Sequence, residues 1–206
     1  MARFLDASAR AAFKQAIEAI EGCSAAEVVV AVRQRSAAYR HANVIVGAAV
    51  AFAGLAAMLY SSHVFQLSSI LVDPFVVGVL AGLVVELVPQ LKRYLTRPTS
   101  RAAHVLRAAR ATFVERGVHH TTGRSGLLVY ISWLERRVAL VADAGLATTL
   151  PEGVLARAEA ELTRTMREGG AAVARRLEAL APDCERAMPR SANDVNELPD
   201  EIDGEA

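Results

Sequence analysis

Asp143 is the side chain in this sequence best placed to do chemistry. It follows the apolar strand segment Val138–Ala142 and precedes the small residues Ala144 and Gly145, the kind of junction at which open α/β sheets present ligand groups. A carboxylate there suits an oxygen-seeking divalent cation such as Ca²⁺ or Mg²⁺. The competing reading is structural, an Asx turn in which the carboxylate accepts backbone N–H bonds. Glu27 opens another strand, and simple strand direction puts it at the opposite end of a sheet from Asp143, so the two are not expected to share an ion. Gly123-Arg124-Ser125-Gly126 could hold a phosphate with the Arg124 guanidinium and backbone amides. It lacks the Lys-Ser/Thr of a P-loop and precedes a strand, not a helix. His119 and His120 are neighbours on a loop with no spaced third ligand.

Phosphoryl chemistry needs more than these residues offer. A thiolate enzyme requires a cysteine within a phosphate-cradling loop, and neither Cys23 nor Cys184 lies in one. They also lack CxxC or Cys/His spacing and read as unpaired thiols of a reducing compartment. An aspartyl enzyme needs a second carboxylate near its nucleophile, and Asp143 has none locally. A two-metal enzyme needs several His and Asp ligands, and the chain has five histidines in all. No residue set amounts to a catalytic signature.

The elements that would position Asp143 are legible in the spacing. Phe4, Leu5, Phe13, Ile17 and Ile20 recur at helical intervals up to Gly22, and Val28–Val32 follow as a buried strand. Ser100–Arg116 is a helix with Val105, Leu106, Ala109 and Phe113 on one face and Gly117 as its C-cap. Leu127–Leu134 and Arg137–Ala142 form an antiparallel hairpin about a turn at Glu135-Arg136, residues that shape and solvate that turn. Pro151–Arg167 and Ala171–Leu180 are helices separated by Gly169-Gly170. The tail over 189–206 is polar, acidic and flexible. A first strand with so few polar residues must be covered on both faces, which places it centrally with helices on either side.

Hydrophobic residues make up 53% of the 206, and the excess lies between Val44 and Val88. Val44–Tyr60 carries no charge, and Ile70–Leu91 carries few. At ~1.5 Å per residue each approaches the ~30 Å hydrocarbon thickness. Asp73 and Glu86 fall in the second segment, where a mid-membrane carboxylate costs ~2.5–3.5 kcal/mol. Asp73-Pro74 suits an N-cap followed by N1, so that span is read as starting at Pro74. Glu86 is read as an interfacial anchor rather than part of an ion path. Gly78 and Gly82 form a G-x-x-x-G, echoed by Gly47/Ala51 and Ala53/Ala57. This spacing fits two spans packed together and dimerisation equally.

Arg33, Arg35 and Arg40 precede the first span, and Lys92, Arg93, Arg97 and Arg101 follow the second, while Ser61–Ser69 has no Lys or Arg. The positive-inside rule then puts both termini in the cytoplasm of an inner-membrane, multi-pass protein. The N-terminal stretch has no apolar core of a signal peptide. Net charge is +1, which provides no global field for nucleic acid.

Three segments carry a resemblance: SAAEVVVAVRQRSAAYR (Ser24–Arg40), GRSGLLVYISWLERRVALVADAGL (Gly123–Leu146) and NDVNELPDEI (Asn193–Ile202). The most specific is the middle one, with Gly126, a strand, Glu135-Arg136-Arg137, then a strand ending in Ala142-Asp143 with Gly145 beyond. Together they resemble the TPM domain family in its bacterial integral-membrane branch. The resemblance implies an α/β sandwich with a small central sheet. Some family members carry weak acid phosphatase activity and calcium binding, and others are scaffolds or assembly factors of membrane complexes. Many are exported domains with a signal peptide and a C-terminal anchor; here an anchor is inserted after the first strand.

The expected organisation is therefore α/β, a small central sheet flanked by helices and interrupted by a two-helix transmembrane hairpin. Residues 1–40 and 98–182 form one TPM-like domain, and 43–91 form the hairpin, with spans at 44–60 and 70–91. The expected function is a cytoplasm-facing binding or scaffolding module with a protein partner in a membrane complex; the alternative is a weak metal-dependent phosphatase using Asp143.

Overall fold

The computed structural model describes residues 4–191, 196–198 and 202–204. It divides into two compact units, Met1–Ser36 with Ala102–Ala206, and Ala37–Arg101.

The first unit is built on a four-stranded sheet of order β3-β2-β1-β4. Its strands are β1 (Glu27–Arg33), β2 (Gly126–Ser132), β3 (Arg137–Ala142) and β4 (Asp203–Gly204). β1 runs parallel to β2, with Glu27 opposite Gly126, and β2 runs antiparallel to β3, with Leu127 opposite Ala142. Side chains alternate across the pleat, and both faces are covered, as the run of valines in β1 demands. Val28, Val30, Val32, Leu127, Val129, Ile131 and Val138 point into one core. The helices on this face are α1 (Ala7–Cys23), α6 (Ala144–Thr149), α7 (Val154–Thr165), α8 (Gly170–Glu178) and α9 (Ala181–Ala187). Val29, Ala31, Leu128, Tyr130 and Ala139 point into a second core, closed by Val105, Ala109 and Phe113 of α5 (Pro98–Glu115). Burial on this scale stabilises by ~1.5–3 kcal/mol per large apolar side chain.

Local rules account for the helix ends. Asp6 caps α1 by accepting the Ala9 N–H at 2.7 Å, and that bond, together with the Ser8 hydroxyl, holds its carboxyl below the usual aspartate range. Gly117 takes φ 66° directly after α5, the left-handed cap its position predicts. Three elements differ from the sequence reading. Small-residue segment 144–149 is a helix, because Asp143 caps it. The run after Ala171 breaks at Leu180 and restarts as α9, with Pro182 in its first turn, where a missing N–H costs nothing. The tail is not simply flexible. Asp203 pairs with both Arg33 and Arg116, and β4 lies parallel to β1 at Ala31 and Val32, covering part of what would be an open sheet edge. Residues 192–195, 199–201 and 205–206 of the acidic tail lie outside the described residues.

The second unit consists of α2 (Arg40–Tyr60), α3 (Leu67–Leu87) and α4 (Pro89–Leu95). α2 and α3 are 21 residues each, long and apolar enough to cross a membrane. Their contact is made by glycine. A Cβ on Gly78 would sit 2.6 Å from the Gly47 carbonyl oxygen and 2.7 Å from the Ala51 Cβ, and one on Gly47 would sit 2.8 Å from the Gly78 oxygen. The small-residue spacing is thus used between the two helices of one chain.

α3 corrects the expected start at Pro74. It begins at Leu67 after Gln66, with Pro74 inside it and Asp73 exposed on its surface. Proline costs a helix interior one hydrogen bond, but the apolar run preceding Asp73 is helix-competent and Pro74 packs on α2 opposite Gly54. The far end also differs. The helix breaks at Val88, before Pro89, and not at Leu91.

Candidate functional site

Strand direction gathers the candidate residues at one end of the sheet. Because β1 is parallel to β2 and β3 antiparallel, the start of β1, the start of β2 and the end of β3 coincide. Glu27 and Asp143 therefore lie at the same end, contrary to the simple reading that separated them. Strand direction alone does not say which neighbour a strand pairs with.

Asp143 is 4% exposed. Its backbone N–H donates to the Gly126 carbonyl at 2.8 Å, locking the end of β3 to the start of β2. Its Oδ1 accepts the Ala144 N–H at 2.7 Å and the Arg124 Nε–H at 3.1 Å. Oδ2 lies 3.0 Å from the same Arg124 nitrogen. It is off the donor axis, so it has an ionic neighbour but no aligned hydrogen bond. Asp143 and the Gly123–Gly126 loop, considered separately in the sequence, are thus one unit. Arg124 reaches this position with φ 52°, a left-handed backbone that costs a non-glycine residue about a kcal/mol or more. Gly145 lets the loop close in, since a Cβ there would be 2.4 Å from the Gly123 oxygen.

Glu27 is buried, and its Oε2 accepts the Leu198 N–H at 3.3 Å. Next to it Glu197 receives the Thr122 N–H at 2.6 Å and the Thr122 hydroxyl. The hydroxyl bond, then the amide bond, holds the Glu197 carboxyl below the ordinary glutamate range. A depressed folded value means this clasp is in place above the unfolded value of ~4.3 and is lost as pH falls through the folded value. The Thr122 amide resonance should therefore shift in step with Glu197 titration below about pH 4.3. A Thr122 amide that does not respond there would rule the clasp out in solution.

The other candidates are placed elsewhere or already engaged. His119 and His120 sit in a short 3-10 turn, Val118–His120, their ring centroids 4.0 Å apart. Among the described residues no group of three or more His, Cys, Asp or Glu converges. Cys23 and Cys184 are free thiols. Burial is the main cause that raises both, pushing Cys184 up to about 12, so neither is poised as a nucleophile. A small cleft of about 190 Å³ is lined by Arg157, Glu161, Arg176 and Asp183, but Arg176 pairs with Glu161 across it.

The structure corrects the expectation that Glu135 solvates the β2–β3 turn. The residue is 3% exposed. Its carboxylate accepts the Ser132 hydroxyl and, at 3.0 Å, the Ser36 N–H. The Ser36 hydroxyl donates to Ser132 Oγ at 2.8 Å. A turn glutamate three residues after a strand-end serine is the signal that could have marked it.

In the hairpin unit, Glu86 is paired and not part of a chain of acids. Its Oε2 accepts Asn43 Nδ2 at 2.8 Å and Lys92 Nζ at 2.5 Å, and Lys92 is only 2% exposed. Lys92 Nζ also reaches the Ala38 carbonyl at 3.4 Å.

No family model matches this chain, and no curated protein does. Among solved structures it is similar to the NMR structure of the BA42 protein from the psychrophilic bacterium Bizionia argentinensis. The TM-score is 0.58 over 98% of this chain and 96% of that one, at 13% sequence identity. At that identity the likeness is one of fold.

Proposed function

We propose that this chain is a membrane-anchored module of TPM type, its α/β unit held at the cytoplasmic face to bind or scaffold a protein partner in a membrane complex. The observation that carries the anchor is the uncovered apolar surface of α2 and α3. Only 11% and 17% of their most apolar stretches are buried, and Phe52, Val79 and Leu83 are more than half exposed. A core helix of a water-soluble protein would be mostly covered. A second argument supports an even number of crossings. β1 precedes the hairpin and β2 follows it, yet they are hydrogen-bonded neighbours, so both flanks occupy one side of the bilayer. The Lys/Arg asymmetry makes that side the cytoplasm. Reporter fusions at both termini should read cytoplasmic and insertions within Ser61–Gln66 external. An internal signal from that connection would overturn the topology.

Binding is preferred over turnover because the buried carboxylates at the sheet end are engaged within the fold, Asp143 as a helix cap and as the partner of Arg124. One observation favours a second reading, a divalent cation at Asp143. Its Oδ2 has no aligned donor, and Glu27 lies at the same sheet end. A Ca²⁺ or Mg²⁺ ion would take Oδ2 in place of Arg124, with backbone carbonyls and water completing the oxygen shell. Melting the detergent-purified protein with Ca²⁺, Mg²⁺ and Mn²⁺ tests this. A cation at ~100 times its Kd should stabilise by ~2.7 kcal/mol, an effect that Asp143→Asn abolishes. No shift in the parent would remove the cation.

A further inference from the structure

We propose that the α4 end of the hairpin is a binding collar for anionic phospholipid headgroups; this rests on the membrane reading above and names the lipid class the anchor selects. From Leu87 to Arg101 the chain has no Asp or Glu, but it carries Lys92, Arg93, Arg97 and Arg101. On the α2 side of the hairpin no acid occurs in the sequence between Glu27 and Asp73, and Arg40 stands at the start of α2.

Glu86 pairs with Lys92, and Arg40, Arg97 and Arg101 add net positive charge at this end of the hairpin unit. Arg40 and Arg97 are exposed, and Arg101 Nε is shielded from solvent with no hydrogen-bond partner among the described residues. The exposed guanidinium groups of Arg40 and Arg97 can each meet a phosphate in a bidentate pair, and Arg101 adds a third positive charge. The apolar side of the same segment fits the depth of a headgroup. Past the Glu86–Lys92 pair, α4 exposes Tyr94 at 83%, with Leu91 and Leu95 also on the surface. Tyrosine beside arginine at the end of an apolar helix matches the bilayer interface, where the ring enters the acyl boundary and the charge meets phosphate. The opposite end of the hairpin, Ser61–Gln66, has no charged residue except for the titratable His63. The collar therefore belongs to one leaflet.

The test is native mass spectrometry of the full chain released from nanodiscs of equal phosphatidylcholine and phosphatidylglycerol. The parent should retain phosphatidylglycerol in at least about tenfold preference. R40Q/R97Q/R101Q should retain the two lipids nearly equally, because each basic residue at an anionic surface is worth ~1 kcal/mol, about fivefold, and three such losses exceed a tenfold preference. R40K/R97K/R101K, which keeps the charge, should retain most of it. Equal retention of both lipids by a parent that enters the nanodiscs, or undiminished preference in the glutamine variant, would overturn the collar and leave the anchor intact. A parent that does not enter nanodiscs at all would overturn both. Salt-sensitive binding of heparin in detergent without headgroup preference would identify the arginines as a site for a soluble polyanion and overturn the lipid assignment.

Discussion

Truncating Glu135 to alanine should lower the melting temperature of the α/β unit by about 10 °C. The carboxylate is 3% exposed and accepts from Ser36 N–H and Ser132 Oγ. Ser132 is fully buried, so its hydroxyl and the Ser36 amide would both lose an acceptor without gaining water. Each unsatisfied buried group costs ~1–3 kcal/mol, which gives ~3 kcal/mol for the pair after partial relaxation. Glu135→Gln keeps one carbonyl oxygen and should lose less. The chain's single tryptophan, Trp133, stands two residues away with its ring centroid 5.3 Å from that of Phe4, so its fluorescence reports this melt directly. An alanine variant that melts with the parent would show the carboxylate to be dispensable.

The second large effect is expected in the hairpin. Gly78→Leu places a side chain where even a Cβ would be 2.6 Å from the Gly47 carbonyl oxygen. The obstacle is backbone, which no rotamer change relieves. Overpacking costs ~1–3 kcal/mol where side chains can adjust, and here the two helices must separate, so a loss of at least ~3 kcal/mol follows. Gly54→Ala is the matched control, because its Cβ would meet Pro74 at 3.7 Å, an ordinary contact. Denaturation in detergent followed by circular dichroism should separate the two, the leucine variant unfolding early and the alanine variant like the parent. Equal stability of all three would mean that α2 and α3 do not pack through these glycines.

Much of this architecture can be seen in local sequence, and the exceptions share a cause. The valines of β1, the LLVYIS run of β2 and the Val44–Tyr60 stretch declare themselves because periodicity and length are local properties. Coverage of β1 on both faces follows from its lack of polar residues. The placement of Glu27 and Asp143 at one end of the sheet is invisible in the sequence, since it depends on β1 choosing β2 as a parallel neighbour across the whole hairpin. Pro74 misled for the opposite reason. Asp-Pro is a strong local start signal, but the apolar residues before it, packed on α2, extend the helix through it. Strand β4 is only two residues long and is held by the Asp203 charge pairs, so no hydrophobic pattern marks it. Glu135 looked like a surface turn residue because its acceptor role is filled by Ser36, distant in sequence.

The parallel pairing of β1 with β2 also constrains biosynthesis. The ribosome makes α1 and β1 first, then everything from α2 to α5, before the residues of β2 emerge. At ~5–20 residues per second that interval is roughly 5–20 s. Throughout it, a valine-rich strand has neither sheet neighbour, and on the membrane reading proposed above it waits while α2 and α3 insert. The sheet is completed only when β4, which follows α9, has been made. On that reading, maturation of the α/β unit is ordered behind insertion of α2 and α3, and a chain in which they fail to insert would be left with an unpaired aggregation-prone strand, a target for chaperones and proteases.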